Sequence, residues 1–581
     1  MQRNLILAFA LTLLVILIAQ PLLNKYGPQP PAKPAATAPQ PASTPPPAPP
    51  SGVTATPSAP SGPVPAQQAA AEQEIVVENG LYKITFTNRG AQVKSWILKK
   101  YNDDKGKPLE LVNQTSAGQY GNPLSLWTYD ADLKSKLNSA LYVAQAGTPC
   151  PAKSLCDQMM RTPKAVESSP LQLSFLYSEG DLLVRKSFTF DHSYVVQVET
   201  SVTRAGQRVQ AYPAWPPGFG DQTTASAYAA ARIDYQSAYK IQRLAPKKIS
   251  GGATVHGPLE WAGAVDQYFS AVFLPDDPQN AALITLHESI KIPKDPQKPD
   301  PKDTAEVPVL GVAVGDATDV TRQRLFVGPK DIDVLAAVPV GAGDTLRDLV
   351  DFGYLSFIAK PLFLWLKWTH QHWVANWGWS IVILTLIINV ALLPLKLSSM
   401  KSMLKMQKIQ PQVKAIQAKY AKYKLTDPRR QQGNQEVQEL MKKEGANPMG
   451  GCLPMVLSLF FLWPFYTVLG VAIELRQAHW LWVTDLSSAD PLHLLPISIV
   501  VTMFIMQKVT PAAGMDPMQQ KMMTVMMPVM MGFIAWSFPS GLCLYWAASQ
   551  LIGWGQQTWL NNTKYGREMR EHLIKRAQKK T

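Results

Sequence analysis

Residues 171–200 read LQLSFLYSEGDLLVRKSFTFDHSYVVQVET. Leu171, Leu173, Phe175 and Tyr177 fall on alternate positions, and Glu179-Gly180-Asp181 supplies a turn. Phe188 and Phe190 precede a second turn at Asp191-His192-Ser193, after which Val196, Val198 and Thr200 resume the alternation. A period of two between turn signals predicts successive antiparallel strands. YKITFTNRGAQVKSWIL, residues 82–98, reads the same way. The pattern runs from about Glu74 to Val340 and predicts an all-β domain, a sandwich, over 74–340.

Moving toward the N-terminus, residues 28–65 hold fifteen prolines among Ala, Ser, Thr and Gln. This composition builds no core and predicts an extended linker over 26–73. Before it, Arg3 precedes an apolar run from Leu5 to Leu23. No small-x-small cleavage site and no lipobox cysteine follow, so residues 1–25 read as a retained transmembrane anchor.

Catalysis leaves no trace in the β domain. The eight histidines are scattered, and His370 and His372 would face different sides of a helix. HExxH, Walker and GxSxG motifs are missing from the chain, and GFGDQT at 218–223 is too short a signal for a nucleotide loop. The four cysteines, Cys150, Cys156, Cys452 and Cys543, lack metal-ligand spacing. Cys150 and Cys156 are close enough to pair if their segment faces an oxidising compartment. No catalytic residue, metal or cofactor is predicted, and the domain reads as a binding or scaffolding module.

Beyond Val340 the chain becomes membranous. In 345–368, Leu346, Leu349, Val350, Phe357 and Ile358 oppose Arg347, Asp348 and Asp351, which predicts a helix lying in the interface. With Trp365, Trp368 and Trp373 it makes an interfacial segment over 341–376, and Trp377 and Trp379 continue the aromatic belt. Uncharged windows then occur at 368–395, 445–473, 491–507 and 522–563, the last broken by FPSG at 538–541. They predict a five-helix core over 377–560, with spans at about 377–395, 448–473, 491–507, 522–537 and 542–560, six with the anchor. Two are shorter than the usual ~20 residues and would thin the bilayer or tuck against neighbours.

The net charge of +14 is localised. Residues 396–445 carry twelve Lys/Arg against four acidic residues, and the tail 561–581 carries seven against two. Both basic segments belong on one side with Arg3, so both termini are expected in the cytoplasm and the β domain in the periplasm. The hairpin 398–446 reads as two helices around a break at TDPRR, residues 426–430. Its Lys401, Lys405, Lys408, Lys414, Arg429 and Arg430 suit a docking platform for anionic lipids or a nascent chain. The tail suits ribosomal RNA phosphates without reading a nucleic-acid sequence. Met522, Met523, Met526, Met527, Met530 and Met531, with Met515 and Met518 before them, form adjoining stripes that would adapt to many apolar shapes.

One span carries polar residues. In TLIINVALLPLK, 385–396, Thr385, Asn389 and Lys396 project from nearly one helix face. Polar side chains inside hydrocarbon face protein or water. Ser549 and Gln556 share a face with Tyr545 on the last span and form an opposing polar stripe.

NPMGGCLPM, ELRQAHWLWVTDLS, DPMQQKMMTVMMP and FPSGLCLYW, in this order, resemble the YidC-type membrane protein insertases. FVGPKD before the first core span and the large β domain resemble the Gram-negative branch of that family. The resemblance implies a periplasmic β-supersandwich and a hydrophilic groove open to cytoplasm and lipid. It further implies an inner-membrane insertase and chaperone, not an enzyme, acting on nascent membrane proteins alone or with the Sec translocon and its accessory subunits. Thr385 matches the groove threonine of that family, and Tyr545 with Trp546 an aromatic pair. Asn389 stands where the family carries a groove arginine, so the groove is expected to lack that fixed charge. The alternative is a small-solute transporter or channel with an extracytoplasmic binding domain. That alternative predicts inverted repeats, which the unequal spans do not show.

Overall fold

The computed structural model describes residues 66–149, 160–295, 300–341, 343–420, 423, 427–445, 453–509, 522–563 and 567. The predicted anchor, most of the linker and tail, Cys150, Cys156, Cys452, Met515 and Met518 lie outside these residues.

The opening stretch forms three consecutive antiparallel strands, Leu171–Glu179, Leu182–Phe190 and Val195–Arg204. Gly180 turns between the first two at φ +60°, a conformation an L side chain resists. They belong to a ten-stranded sheet, in which the late strand Thr321–Pro329 returns to pair with Val195–Arg204. Two five-stranded sheets complete the domain, one built around Glu74–Asn102 and the other around Ala281–Pro293 and Thr304–Asp316. Phe86 of the first small sheet meets Phe175, Phe188 and Phe190 of the large one at ring distances of 5.2–5.9 Å. That aromatic cluster is the sandwich core the alternation predicts, and such pairs contribute about 1 kcal/mol each beyond their buried area.

The C-terminal region is helical. It comprises α1 (Ser356–His372), α2 (Trp377–Ala391), α3 (Leu393–Tyr420), α4 (Pro428–Lys443), α5 (Leu453–Val471), α6 (Leu494–Val509), α7 (Met527–Ala535) and α8 (Ser540–Asn561). Three local features differ from the sequence reading. First, residues 345–368 do not make one helix. Leu346–Leu349 is a single 3-10 turn and α1 starts at Ser356, because Gly353 adopts φ +68° and its N–H bonds to Asp351. Leu346, Leu349, Val350 and Phe352 are consequently buried in protein.

Second, the span 377–395 is broken. Pro394 has no N–H for the helical ladder, and the chain bends by 47° between Trp377–Ala391 and Leu393–Ser399. Third, Met522–Met526 forms a π-helical turn ahead of α7. Pro528 lacks the N–H that would bond the Thr524 carbonyl, which favours the wider turn.

Among the described residues no single helix is both long and apolar enough to cross a membrane, although the bent pair 377–391 and 393–399 together meets that test. The reasons differ by helix. α2 has 15 residues and α6 has 16, each about 23 Å of rise against a ~30 Å hydrocarbon core. α8 has 22 residues but includes Ser549, Gln550, Gln556 and Gln557.

The β domain is docked on the helices by hydrogen bonds. Gln267 Nε2 donates to the Gly470 carbonyl at 2.9 Å, and Arg476 Nη1 to the Asn102 carbonyl at 2.7 Å. Lys367 of α1 lies 2.7 Å from Asp333 and 3.5 Å from Glu474, joining the end of the β domain to the residues that follow α5.

Candidate functional site

The buried face of α2 consists of Gly378, Ser380, Ile381, Leu384, Thr385, Ile388 and Asn389, a stripe at three- and four-residue spacing. It packs on α8. Gly378 lets Trp480, from the segment between α5 and α6, approach α2 closely: a Cβ there would lie 2.2 Å from the Trp480 ring. Trp379, Leu386 and Val390 are exposed on the opposite face. Comparable exposed apolar stripes occur on α6 (Leu494, Ile497, Val501, Ile505) and on α7 with the turn before it (Met526, Met530, Phe533). Apolar surface of this extent marks contact with lipid or protein.

Within the apolar packing the polar residues form one network. Thr385 Oγ1 donates to the Ile381 carbonyl at 2.6 Å, satisfying itself within its helix. Asn389 Nδ2 donates to the Thr385 carbonyl at 2.9 Å and to Ser549 Oγ of α8 at 3.3 Å. Lys396 Nζ donates to Asn389 Oδ1 at 3.0 Å and to Gln556 Oε1 at 2.6 Å. Gln556 Nε2 donates to the Asn389 carbonyl at 3.0 Å, closing the ring. Thr385 and Asn389 are buried, whereas Lys396, Ser549 and Gln556 are half-buried and form the accessible edge.

Four of the six predicted groove residues therefore come together, joined by Lys396. The other two do something different. Tyr545 is buried and stacks on Phe465 of α5, with ring centroids 4.0 Å apart, and Trp546 is half-buried against the same core. They fix α8 to α5.

Lys396, which shares the helix face of Thr385 and Asn389 in the sequence but was not among the predicted groove residues, joins the network. The bend at Pro394 and the long lysine arm bring the Lys396 ammonium to within 3.0 Å of Asn389 Oδ1.

α3 and α4 lie on either side of the predicted break, with Asp427 accepting from the Arg429 N–H at the start of α4. Of the hairpin's predicted docking cations, Arg430 donates to the Tyr420 and Tyr423 carbonyls and Arg429 lies over the Tyr423 ring. Both hold the elbow together. Lys405 and Lys414 are exposed, with Lys405 Nζ 3.4 Å from the Gly445 carbonyl; Lys408 is also exposed. The backbone of Lys401 lies on α3 one turn before Lys405. Among the predicted methionines, Met526 and Met530 are exposed, Met522 is half-buried, and Met527 and Met531 pack against the core. Met523 shares the π-helical turn.

The family model "60Kd inner membrane protein" matches residues 368–568, and the model "YidC periplasmic domain" matches residues 74–365. A membrane protein insertase YidC from Geobacter sulfurreducens is 32% identical over 497 residues, covering 83% of this chain and 85% of the relative. The chain belongs to the YidC family of membrane protein insertases. A second YidC insertase, from Bordetella petrii, is 30% identical over 500 residues, covering 84% and 83% of the two chains. The crystal structure of an active YidC insertase with its first transmembrane domain resolved shares 18% identity at a TM-score of 0.34, covering 86% of this chain and 95% of that one. YidC membership makes this an inner-membrane protein with a large all-β periplasmic domain and a helical C-terminal region.

Proposed function

We propose that this chain inserts integral inner-membrane proteins, and helps them fold, by giving polar client segments a partly hydrated route along the face shared by α2 and α8. The network of Asn389, Lys396, Ser549 and Gln556 is the observation that supports this reading most directly. It places donors, acceptors and one cation inside a bundle whose outer faces are apolar. An uncompensated polar group in hydrocarbon costs several kcal/mol, and water or side-chain partners along the route reduce that cost. Short helices reduce it further, since a bilayer thinned around α2 and α6 shortens the remaining path. The work is a lowering of a transfer barrier and needs no covalent step.

The arrangement in the membrane belongs to the same proposal. Six spans, counting the anchor 1–25, place both termini and the basic hairpin in the cytoplasm and the β domain in the periplasm, following the Lys/Arg distribution. The divisions at 26–73, 74–340, 341–376, 377–560 and 561–581 follow. Cooperation with the Sec translocon and contact of the tail with the ribosome extend the proposal to partners.

Reconstitution tests the central claim. The purified full-length protein in liposomes should insert a short two-span client well above the level seen in protein-free liposomes. Equal insertion in both would overturn it.

A further inference from the structure

We infer that Lys396 is the cation of the α2–α8 site, and that it gives this insertase a preference for clients whose translocated segments carry carboxylates. The inference rests on the insertase reading above and specifies the client chemistry of the same site.

Three observations carry it. The first is position. In a straight helix, residues seven apart share a face but lie about 10 Å apart along the axis. Here Pro394 bends the chain by 47°, and the lysine arm closes the gap to Asn389 Oδ1, 3.0 Å away. The ammonium thereby sits at the asparagine's amide, where an arginine at position 389 would have projected its own charge.

The second is the partner set. Both side-chain acceptors of Lys396 are amide oxygens, Asn389 Oδ1 and Gln556 Oε1, and no carboxylate among the described residues lies within ion-pair distance of its Nζ. Neutral amides orient a charge without cancelling it. Elsewhere in the helical region, Lys367 is surrounded by Asp331, Asp333 and Glu474, as expected of a lysine with a structural role. An ammonium has three donors, and two are taken here.

The third is exposure. Asn389 is 5% exposed, so the asparagine itself is closed off, while Lys396 stands half-buried at the accessible edge. A half-buried cation interacts with an incoming carboxylate in a medium less screening than water, where a charge-assisted hydrogen bond is strong. The asparagine and glutamine then act as positioning residues that aim the ammonium and hold it at the bend.

The test uses the full-length protein in liposomes and two versions of one two-span client, with aspartates or asparagines at the same positions of the translocated tail. The wild type should favour the acidic client by about tenfold, the scale of one charge-assisted hydrogen bond net of desolvation. Lys396→Gln should bring the acidic-to-neutral ratio close to one. Gln556→Glu should do the same while leaving the lysine in place, because a carboxylate 2.6 Å from Nζ would neutralise it. Adding Asn389→Arg to Lys396→Gln should restore the preference, which a merely structural role for Lys396 does not predict. A ratio unchanged by Lys396→Gln, with both clients still inserted, overturns the inference alone. Failure of the wild type to insert either client overturns the insertase reading and this inference with it.

Discussion

Asn389 and Lys396 occupy different parts of the α2–α8 network. The amide is buried and bonded on three sides, to Thr385, Ser549 and Lys396, and the charge lies at the edge. Cysteines substituted singly at the two positions, in a background without the native cysteines, should differ in reactivity toward a water-soluble maleimide. The thiol at 396 should label readily in intact membranes and the thiol at 389 slowly; the reverse order would contradict this division. Asn389→Leu should cost roughly 1–3 kcal/mol by leaving Ser549 and Lys396 short of a partner, and should impair clients with polar tails most. Lys186 presents the opposite case, a charge with no route to solvent. It is fully buried, and Nζ donates to the carbonyls of Gly90, Ala91 and Leu124 at 2.9, 2.6 and 2.5 Å. All three acceptors belong to residues with positive φ, at +66°, +47° and +63°. Burial pushes the ammonium down to about 7, yet each of its protons has its own carbonyl. Lys186→Met would orphan three carbonyls and should destabilise the β domain by about 3 kcal/mol, seen as a lower thermal midpoint. An unchanged midpoint would show that the carbonyls find other donors. Neither residue was fully legible in the sequence. The strand alternation of 182–190 makes Lys186 inward-facing, but only the fold shows which carbonyls meet it.

At the scale of elements, periodicity located most segments and local backbone chemistry set their ends. The strands of 171–204 follow from alternation because each buries one face, so a register slip would expose Phe175 and Phe188. The bend before Pro394 and the stop at Gly353 depend on single residues and shift the boundaries that hydropathy windows suggest. The motif ELRQAHWLWVTDLS, 474–487, also becomes interpretable only in three dimensions. Arg476 and Gln477 grip the β domain, while the Leu486 carbonyl accepts from the Gly541 N–H at the start of α8. Glu474, at its head, is half-buried beside Asp331 of the β domain and Lys367 of α1. Burial first, and the Asp331 charge second, raise its carboxyl from 4.5 to about 7. A carboxyl raised in the folded state stabilises it fully below the unfolded value, and that contribution fades as pH climbs through about 4.5 to 7. The dock between β domain and helices should therefore loosen on going from pH 5 to pH 8. Hydrogen exchange at 473–477 should rise over that interval beyond the intrinsic increase, and Glu474→Gln should remove the excess. A pH-independent excess in the wild type would rule out Glu474 as its source.

At the scale of the molecule, a continuous apolar core runs from the β sandwich through Phe352 and Phe363 to α5 and α8. The hairpin stands apart from it. Ile409 and Val413 of α3 form a separate small cluster with Val437, Leu440 and Met441 of α4, and Gly433 lets the Tyr420 ring approach its backbone. A hairpin that folds on its own apolar residues can be removed without opening the main core. Its charge suggests what removal would take away. Residues 396–445 carry twelve Lys/Arg against four acidic residues, and exposed charges of this density attract anionic lipid and client headgroups over about one Debye length, ~8 Å at physiological salt. Deleting 400–444 keeps Lys396 and the α2–α8 network, so it separates capture from passage. The shortened protein should remain in the membrane with its β domain folded, yet lose client insertion. Raising the ionic strength should reproduce part of that loss in the intact protein and have little further effect on the deletion. Full insertion by the deletion variant would show instead that the α2–α8 face captures clients unaided, leaving the basic hairpin a lipid-facing arm.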